Sequence, residues 1–315
     1  MSDSSARPRG HALRRPVVAQ VYGVDFSGAA QAGHTTWLAR CAVVPRREQA
    51  DGAPPLRLEA LDRLSDLAGS GERDVALAHL VALVRASRRA LWAVDACFGL
   101  PEAVLDALYA RTTTWPRFVR EVAAWDGGAY AYGLEALAAA RALGGPMHIR
   151  RAADAEARAP FDPYHYRIIY QTFHAIRDVA RPLARDADTA VLPFQYPRLR
   201  SPRLRGARRP VRRVVLEACP ASTLKRMALP HQRYKQPAGG PLSATQRRVR
   251  RAILAGLAPQ VLVDDAARRR IMRDPGGDAL DAVLAAVGAW HAWHAADHAR
   301  LARCRRARRE GHLYY

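Results

Sequence analysis

Three short apolar runs in this chain each end in a single acidic residue. Asp25 ends VYGVD, Asp95 ends LWAVD and Glu217 ends VVLE, and small residues follow each of them. Runs so rich in β-branched and aromatic residues are typical of buried strands. Because burying an unpaired charge is costly, each acid must either have a cationic partner or lie at the open end of its strand, where chemistry can take place.

The alternation of strands and helices along the chain predicts an α/β layered domain. We expect strands within residues 17–28, 35–44, 89–101 and 211–222, and helices within residues 73–88, 166–183, 243–257 and 276–309. Ser243 is the expected N-cap of the third of these helices.

These elements divide the chain of 315 residues into five predicted segments. They are a disordered basic arm (1–16), the first part of the core (17–101), a mainly helical insertion with an Arg-rich loop (102–210), the second part of the core with the terminal helix (211–309), and a tail (310–315).

The predicted terminal helix begins with two more acids. Asp278 and Asp281 are three residues apart and therefore share one face of its first turn, where the helix dipole favours carboxylates. Ligands of open α/β sheets bind beyond the carboxyl ends of the strands, so this turn and the strand ends can meet. Carboxylates gathered there repel one another unless divalent cations join them, and oxygen ligands favour Mg²⁺ or Mn²⁺. Two such ions about 4 Å apart can clamp the attacking and leaving oxygens of a phosphodiester.

Three of the five acids also have a purely structural interpretation as caps. Asp25 could cap the Gly turn that follows it, and Asp95 could cap the helix expected after Pro101. Asp278 could be the N-cap of the terminal helix. Glu217 is harder to explain in this way, since it precedes Cys-Pro-Ala-Ser. The residues alone leave both interpretations open.

The formal net charge is +21, and all but two of the 50 basic residues are arginine. An imbalance of that size favours polyanionic partners, nucleic acid first, although GC-rich coding sequence also produces such a composition. The arginine-rich stretch 198–213 could track a phosphate backbone or form a solvated loop. Its candidate nucleic-acid-binding residues are Arg203, Arg205, Arg208, Arg209 and Arg212.

The two lysines stand out against this background of arginine. Lys225 and Lys235 both follow Glu217, and a lysine near bound metals could bind a scissile phosphate or orient the attacking water. A solvated face is the alternative. Gln171, in the 166–183 helix, could line a substrate groove or be an ordinary polar residue of a surface helix.

The cysteines and the N-terminal residues predict a cytoplasmic protein. The four cysteines form no CxxC pair and have no zinc-site spacing, which suits reduced thiols in the cytosol. The first 16 residues contain no apolar segment typical of a signal peptide. We expect no membrane association, since no apolar run reaches membrane-spanning length.

The order GVDFSGA, WAVDACFGLP, VLEACPAS, GGDALDAVLAAVGAW resembles the family known as domain of unknown function 429, a predicted nuclease family of ribonuclease-H-like fold. It is more distantly similar to Holliday-junction resolvases of the RuvC type, which also place acids on a first and a later strand and a DxxDA pair on a terminal helix. The resemblance covers residues 17–45, 89–101, 211–235 and 276–290. It implies a ribonuclease-H-like mixed sheet flanked by helices, with a largely helical insertion between core strands. By position, the metal ligands would be Asp25, Asp95, Glu217 and Asp281, with Asp278 a fifth candidate.

We therefore expect a nuclease that depends on Mg²⁺ or Mn²⁺ and hydrolyses phosphodiester bonds of DNA or RNA. Its expected catalytic residues are Asp25, Asp95, Glu217, Asp281 and Lys235. An actin-like or sugar-kinase-like ATP-dependent phosphotransferase is one alternative, but the chain contains no convincing second phosphate loop. A non-catalytic nucleic-acid-binding protein is the other, and it would show no metal dependence.

Overall fold

The computed structural model describes residues 13–48, 52–109, 113–199, 210–237 and 239–315. Within these ranges seven strands form one sheet. They are β1 (Gln20–Asp25), β2 (Trp37–Val43), β3 (Leu56–Arg63), β4 (Ala90–Val94), β5 (Thr189–Val191), β6 (Arg213–Glu217) and β7 (Val261–Leu262).

The strands lie in the order β5-β6-β4-β1-β2-β3-β7. β2 runs antiparallel to its neighbours β1 and β3, and the other neighbouring pairs are parallel. β1, β4 and β6 therefore end at the same edge of the sheet, which is the edge where α/β proteins bind their ligands.

Helices cover both faces of the sheet. In the described ranges the α-helices are α1 (Ala32–Thr35), α2 (Leu64–Ala68), α3 (Arg73–Ala86), α4 (Glu102–Leu108), α5 (Trp115–Ala124), α6 (Gly128–Ala142), α7 (Ala152–Glu156), α8 (Ile169–His174), α9 (Arg181–Arg185), α10 (Pro220–Arg226), α11 (Ala244–Leu257), α12 (Asp265–Arg273), α13 (Asp278–Ala295), α14 (His298–Arg303) and α15 (Ala307–Glu310). A π-helix, Ala175–Ala180, joins α8 to α9, and short 3₁₀ turns lie at Arg46–Glu48 and Tyr196–Leu199.

Each face of the sheet has its own apolar core, because side chains alternate between the faces along a strand. One core packs the sheet against α10, α11, α12 and α13. The other packs it against α3, α4, α5, α6 and the helical stretch from α8 to α9.

Helix α13 lies directly against β1. A Cβ added to Gly23 would lie 1.9 Å from the carbonyl oxygen of Ala282 and 2.6 Å from the backbone nitrogen of Ala286. A side chain at this position would therefore collide with helix backbone, and glycine permits the close approach. The contact holds the first turn of α13 beside the carboxyl end of β1.

The prediction of an α/β fold is confirmed, and β1, β2, β4 and β6 lie within the predicted strand segments. Ser243 caps α11 as predicted, since its hydroxyl accepts a hydrogen bond from the N–H of Gln246 at 3.2 Å. The prediction of a single terminal helix over residues 276–309 is wrong. α13 ends at Ala295, and Asp297 starts α14 by accepting a hydrogen bond from the N–H of Arg300 at 2.8 Å.

Both ends of the described chain pack against the core. The predicted arm lies outside the described residues except for 13–16, where the N–H of Arg14 donates to the carbonyl oxygen of Leu199 at 2.7 Å. In the last segment, 310–315, Leu313 bridges to Glu217 and the N–H of Tyr314 donates to the carbonyl oxygen of Glu217 at 2.9 Å. None of the described helices combines the length and the apolar character needed to cross a membrane.

Candidate active site

Asp25 and Asp95 lie side by side where two parallel strands end. Val24 pairs with Val94 in the register of β1 and β4, and the N–H of Asp95 donates to the carbonyl oxygen of Val24 at 2.9 Å. The two acids are the next residues along their strands, and residues in register point to the same face. That face is the one covered by α13, because Gly23, two residues before Asp25, contacts this helix.

Asp281 reaches the same place from the first turn of α13. Its Oδ1 accepts a hydrogen bond from the hydroxyl of Tyr234 at 2.9 Å, and its Oδ2 lies 2.5 Å from the Nζ of Lys235. Tyr234 and Lys235 belong to the segment that follows α10. Both oxygens of Asp281 are therefore held, and the ammonium group of Lys235 lies among the acids.

These five residues line a cavity of about 340 Å³ at the carboxyl edge of the sheet. Gln171 of α8 also lines this cavity. Its side-chain nitrogen donates to the carbonyl oxygens of Phe26, at 2.9 Å, and of Asp95. The amide thereby ties the ends of β1 and β4 to the helix that faces them, and it lines the cavity as one of the two sequence interpretations anticipated.

Acids outnumber cations around this part of the cavity. Burial raises the pKa of Asp25 well above its usual value, with Lys235 opposing the shift and the neighbouring carboxylates adding to it. Burial, reinforced by Asp281, raises the pKa of Asp95 to about 7. Burial lowers the pKa of Lys235, but the carboxylates of Asp281 and Asp25 outweigh this and raise it above its usual value. The lysine is therefore charged, and the site remains short of positive charge.

Asp278 lies at the margin of this group. It is the first residue of α13, with Oδ1 3.9 Å from the Nζ of Lys235, and it is not among the residues that line the cavity. Burial raises its pKa to about 6, although Lys235 opposes the shift. The alternative interpretation of Asp278 as an N-cap is wrong, because Gly277, with φ of 84°, occupies that position.

The structure directs Glu217 away from the other acids. Glu217 is in register with Val94, not with Asp95, so the alternation of side chains places it on the opposite face of the sheet. The position beside Asp95 belongs to Ala218. The carboxylate of Glu217 is fully buried, and its Oε1 accepts a hydrogen bond from the N–H of Phe98 at 3.0 Å. The sequence prediction that Glu217 joins the other acids is thus not met by its position.

A buried cation accompanies Glu217. The Nη1 of Arg151 lies 2.6 Å from the Oε2 of Glu217 and 2.9 Å from the carbonyl oxygen of Glu310. The same guanidinium makes two hydrogen bonds, of 2.8 and 2.9 Å, to the carboxylate of Asp154. Burial raises the pKa of Glu217 to about 7 against the opposing effect of Arg151. Two kinds of acid thus end the strands: Glu217 has an arginine partner inside the protein, whereas Asp25 and Asp95 face a cavity.

Tyr234, Arg151 and Asp154 were not singled out by the sequence. Tyr234 directly precedes Lys235, one of the two lysines noted in the sequence, and this adjacency was an available signal. Arg151 carries no such signal, because one arginine among so many gives no indication of burial.

Of the five predicted nucleic-acid-binding arginines, the described residues include Arg212, which does not line this cavity. Arg203, Arg205, Arg208 and Arg209 lie outside the described residues. Arg212 immediately precedes β6, at the amino ends of the parallel strands and thus at the opposite edge of the sheet. Its Nε lies 3.3 Å from the Oδ2 of Asp188.

The polar side chains of the cavity are carboxylates, the hydroxyl of Tyr234, the amide of Gln171, the ammonium group of Lys235 and the thiols of Cys97 and Cys219. Within the described ranges, no three His, Cys, Asp or Glu side chains are arranged to hold a metal ion. The cation that faces Asp25 and Asp281 in this structure is the ammonium of Lys235.

Comparison with known proteins identifies the family of this chain. The family described as a protein of unknown function, DUF429, matches residues 23–303. The chain belongs to the DUF429 family. The resemblance expected from the sequence is thereby confirmed, and Asp25, Asp95, Lys235 and Asp281 of this DUF429 protein all lie within the matched region. No curated protein and no solved structure matches the chain.

Proposed function

We propose that this protein is a divalent-metal-dependent nuclease. The observation that carries the proposal is the convergence of Asp25, Asp95 and Asp281 on one cavity, where two of the three carboxyl groups have strongly raised pKa values. Raised pKa values in a cleft are a recognised mark of functional sites. A cavity with such an excess of acids would be relieved by a bound divalent cation.

The ribonuclease-H-like fold is the second part of the proposal. It is supported by a central strand, β1, that has an antiparallel neighbour on one side and a parallel neighbour on the other. It is also supported by the placement of the acids, on the first strand, on a later strand and at the start of a late helix. This is the arrangement that the sequence resemblance implies.

The donors present suit Mg²⁺ or Mn²⁺. Asp25, Asp95 and Asp281 supply carboxylate oxygens, with Asp278 at the margin as the candidate fourth ligand. Cys97 and Cys219 also line the cavity, but burial raises the pKa of both thiols, so they are not the thiolates that a zinc site needs. Lys235 now pairs with Asp281, but its side chain is 43% exposed, so it can swing toward solvent. The residues therefore fit the ion in chemistry, and loading requires the ammonium to move aside.

A bound divalent ion would supply a nucleophilic water at neutral pH and neutralise charge on the phosphate. The protein's own residues have separate parts. Asp25 and Asp95 are presented by strand ends that Gln171 holds in place, and Tyr234 orients Asp281. Lys235, once released from Asp281, can bind a non-bridging phosphate oxygen. Glu217 is not a ligand in this proposal, because Arg151 holds it on the other face of the sheet.

The test is a titration of Mn²⁺ and of Mg²⁺ by calorimetry, on the wild type, on Asp25→Asn and on Asp126→Asn. Asp126 is exposed and distant in sequence from the site, so its variant makes the same chemical change as a control. We expect saturable binding in the wild type and the control and none in Asp25→Asn. The same three proteins are then assayed on a panel of DNA and RNA structures, where cleavage should require the metal and Asp25.

The titration is repeated with a non-cleavable phosphorothioate oligonucleotide present, since some such sites take up metal only with substrate. If the wild type binds no metal in either titration, the nuclease proposal is wrong. The non-catalytic nucleic-acid-binding protein would then be favoured if the oligonucleotide alone binds.

A further inference from the structure

A row of functional side chains crosses four neighbouring strands on the face that carries the acids. Asp95 stands at the end of β4 and Asp25 at the end of β1. Asp25 is paired with Trp37 of β2, and Trp37 is paired with Arg63 of β3. Paired residues in antiparallel strands point to the same face. The row therefore reads acid, acid, aromatic, cation.

The outer end of this row lies in a groove beside the acidic cavity. The groove has a volume of about 310 Å³ and is lined by Trp37, Arg63, Asp274 and three arginines of α12. The guanidinium of Arg63 lies over the indole of Trp37, 5.2 Å from the ring centre. Those three arginines are Arg269, Arg270 and Arg273.

Most of the positive charge in the groove is uncompensated. Arg270 is paired, with its Nη1 2.6 Å from the Oδ1 of Asp62. Arg63, Arg269 and Arg273 are exposed, and none of the three has a carboxylate partner among the residues that the structure describes.

Arg269 and Arg273 are also four residues apart on one helix, where like charges repel. Their position near the C-terminus of α12 suits the helix dipole, but that explains neither the convergence with Arg63 nor the placement beside the acids. The carboxylate of Asp274 lies in the groove wall and is engaged elsewhere, since its Oδ2 accepts the N–H of Ala279 at 3.0 Å. An anionic ligand would meet three cations there.

The geometry points to this groove as the track of a nucleic-acid strand that enters the acidic cavity. The inference rests on the proposed function and extends it by giving the substrate a path. The backbone positions of Asp25 and Arg63 are two strand spacings apart, about 10 Å. One extended chain of phosphates can therefore have one group at the acids and the next groups at Arg63, Arg269 and Arg273.

A single strand fits the groove better than a duplex. Its volume is at the lower end of the range for small-molecule pockets, which accommodates one backbone and not two. Trp37 is buried beneath Arg63, so the groove contacts a strand through its arginines and not through base stacking. The described part of the chain thus provides a basic track at the site itself, in addition to whatever the 198–213 stretch contributes.

The test compares two double substitutions that remove equal charge. Arg269→Gln/Arg273→Gln empties the groove of two cations, and Arg248→Gln/Arg251→Gln removes two exposed arginines of α11 as the matched control. Both proteins are first checked for an unchanged melting temperature. Binding of a fluorescein-labelled single-stranded oligodeoxythymidylate is then measured by anisotropy in EDTA, so that cleavage does not interfere, between 50 and 200 mM salt.

Each phosphate contact on a single strand contributes about 0.7 to the slope of log affinity against log salt concentration. Loss of two contacts should reduce the slope by about 1.4, so that raising the salt from 50 to 200 mM weakens binding about sevenfold less than in the wild type. The control should keep the wild-type slope. Equal slopes in the two double variants, or no binding by the wild type, would refute the proposal that the groove binds a nucleic-acid strand.

The results that would refute the nuclease differ from those that would refute the groove. A wild type that binds the oligonucleotide through the groove but never cleaves with Mg²⁺ or Mn²⁺ refutes the nuclease and leaves the track in place. Metal-dependent cleavage with equal slopes in the two variants refutes the track and leaves the nuclease in place.

Discussion

Replacing Asp95 with asparagine should stabilise the metal-free protein at pH 8. Burial and the carboxylate of Asp281 raise the pKa of Asp95 from 3.8 to about 7 in the folded protein. An acid whose folded-state pKa is raised contributes its full stability below the unfolded-state pKa, and this contribution is lost as the pH rises toward the folded-state value. Above pH 7 the folded wild type therefore carries an ionised acid that it disfavours, and a neutral amide of the same shape removes that penalty.

The magnitude follows from the shift. One pKa unit corresponds to about 1.4 kcal/mol, so the rise from 3.8 to about 7 sets an upper bound of ~4 kcal/mol. Water in the cavity screens the charge, and Lys235 loses part of its pairing when an acid is removed. We expect about half of the bound, ~2 kcal/mol, at pH 8 and less than ~1 kcal/mol at pH 5.

Urea denaturation in EDTA at the two pH values measures this difference. Asp154→Asn is the contrasting variant, because Asp154 lines the same cavity but pairs with Arg151. The free energy of unfolding of this variant should be ~3 kcal/mol lower than that of the wild type at both pH values, because the buried Arg151 is left with fewer partners. A lower stability of Asp95→Asn than of the wild type at pH 8, or an equal difference at pH 5 and pH 8, would refute the reasoning.

Three further predictions concern single positions. Gly23→Ala should lower the free energy of unfolding by ~3 kcal/mol or more, because its Cβ collides with the backbone of Ala282; a urea midpoint equal to that of the wild type would contradict the close packing. Arg151→Met should lower the free energy of unfolding by ~3–5 kcal/mol, because it leaves Glu217 and Asp154 without their cation. Adding Glu217→Gln to that variant should recover part of the loss in the same assay. Lys235→Gln should bind Mn²⁺ roughly tenfold more tightly in calorimetry, equivalent to ~1.4 kcal/mol of removed charge competition, while losing most of its cleavage; equal or weaker binding would show that the ammonium does not compete with the ion.

The sequence predicted the strand-end acids at β1 and β4 because each directly follows an apolar run typical of a buried strand. It also predicted Asp281 and Lys235, which stand out by their spacing or their rarity. β3 was missed although LRLEALDR alternates in its first residues, whereas β5 and β7, with three and two residues, are too short to show any period.

The placement of Glu217 needed information that is not local. The sequence of a strand shows which of its residues share a face. Which of the two faces also carries the acid of the neighbouring strand depends on the pairing register. A shift of one residue in the pairing of β6 with β4 exchanges Glu217 for Ala218. The burial of Arg151 could not be foreseen for a similar reason, because two of its partners, Glu217 and Glu310, lie 66 and 159 residues away along the chain.

The same alternation makes this scaffold open to redesign. Ala218 lines the cavity, directly follows β6 and lies on the face shared with Asp95. An aspartate at that position would add a carboxylate from a third parallel strand without a change in the backbone. Ala218→Asp is therefore the first substitution to make when a second ion is wanted at this site. The adjacent Glu217 would keep its structural role as the partner of Arg151.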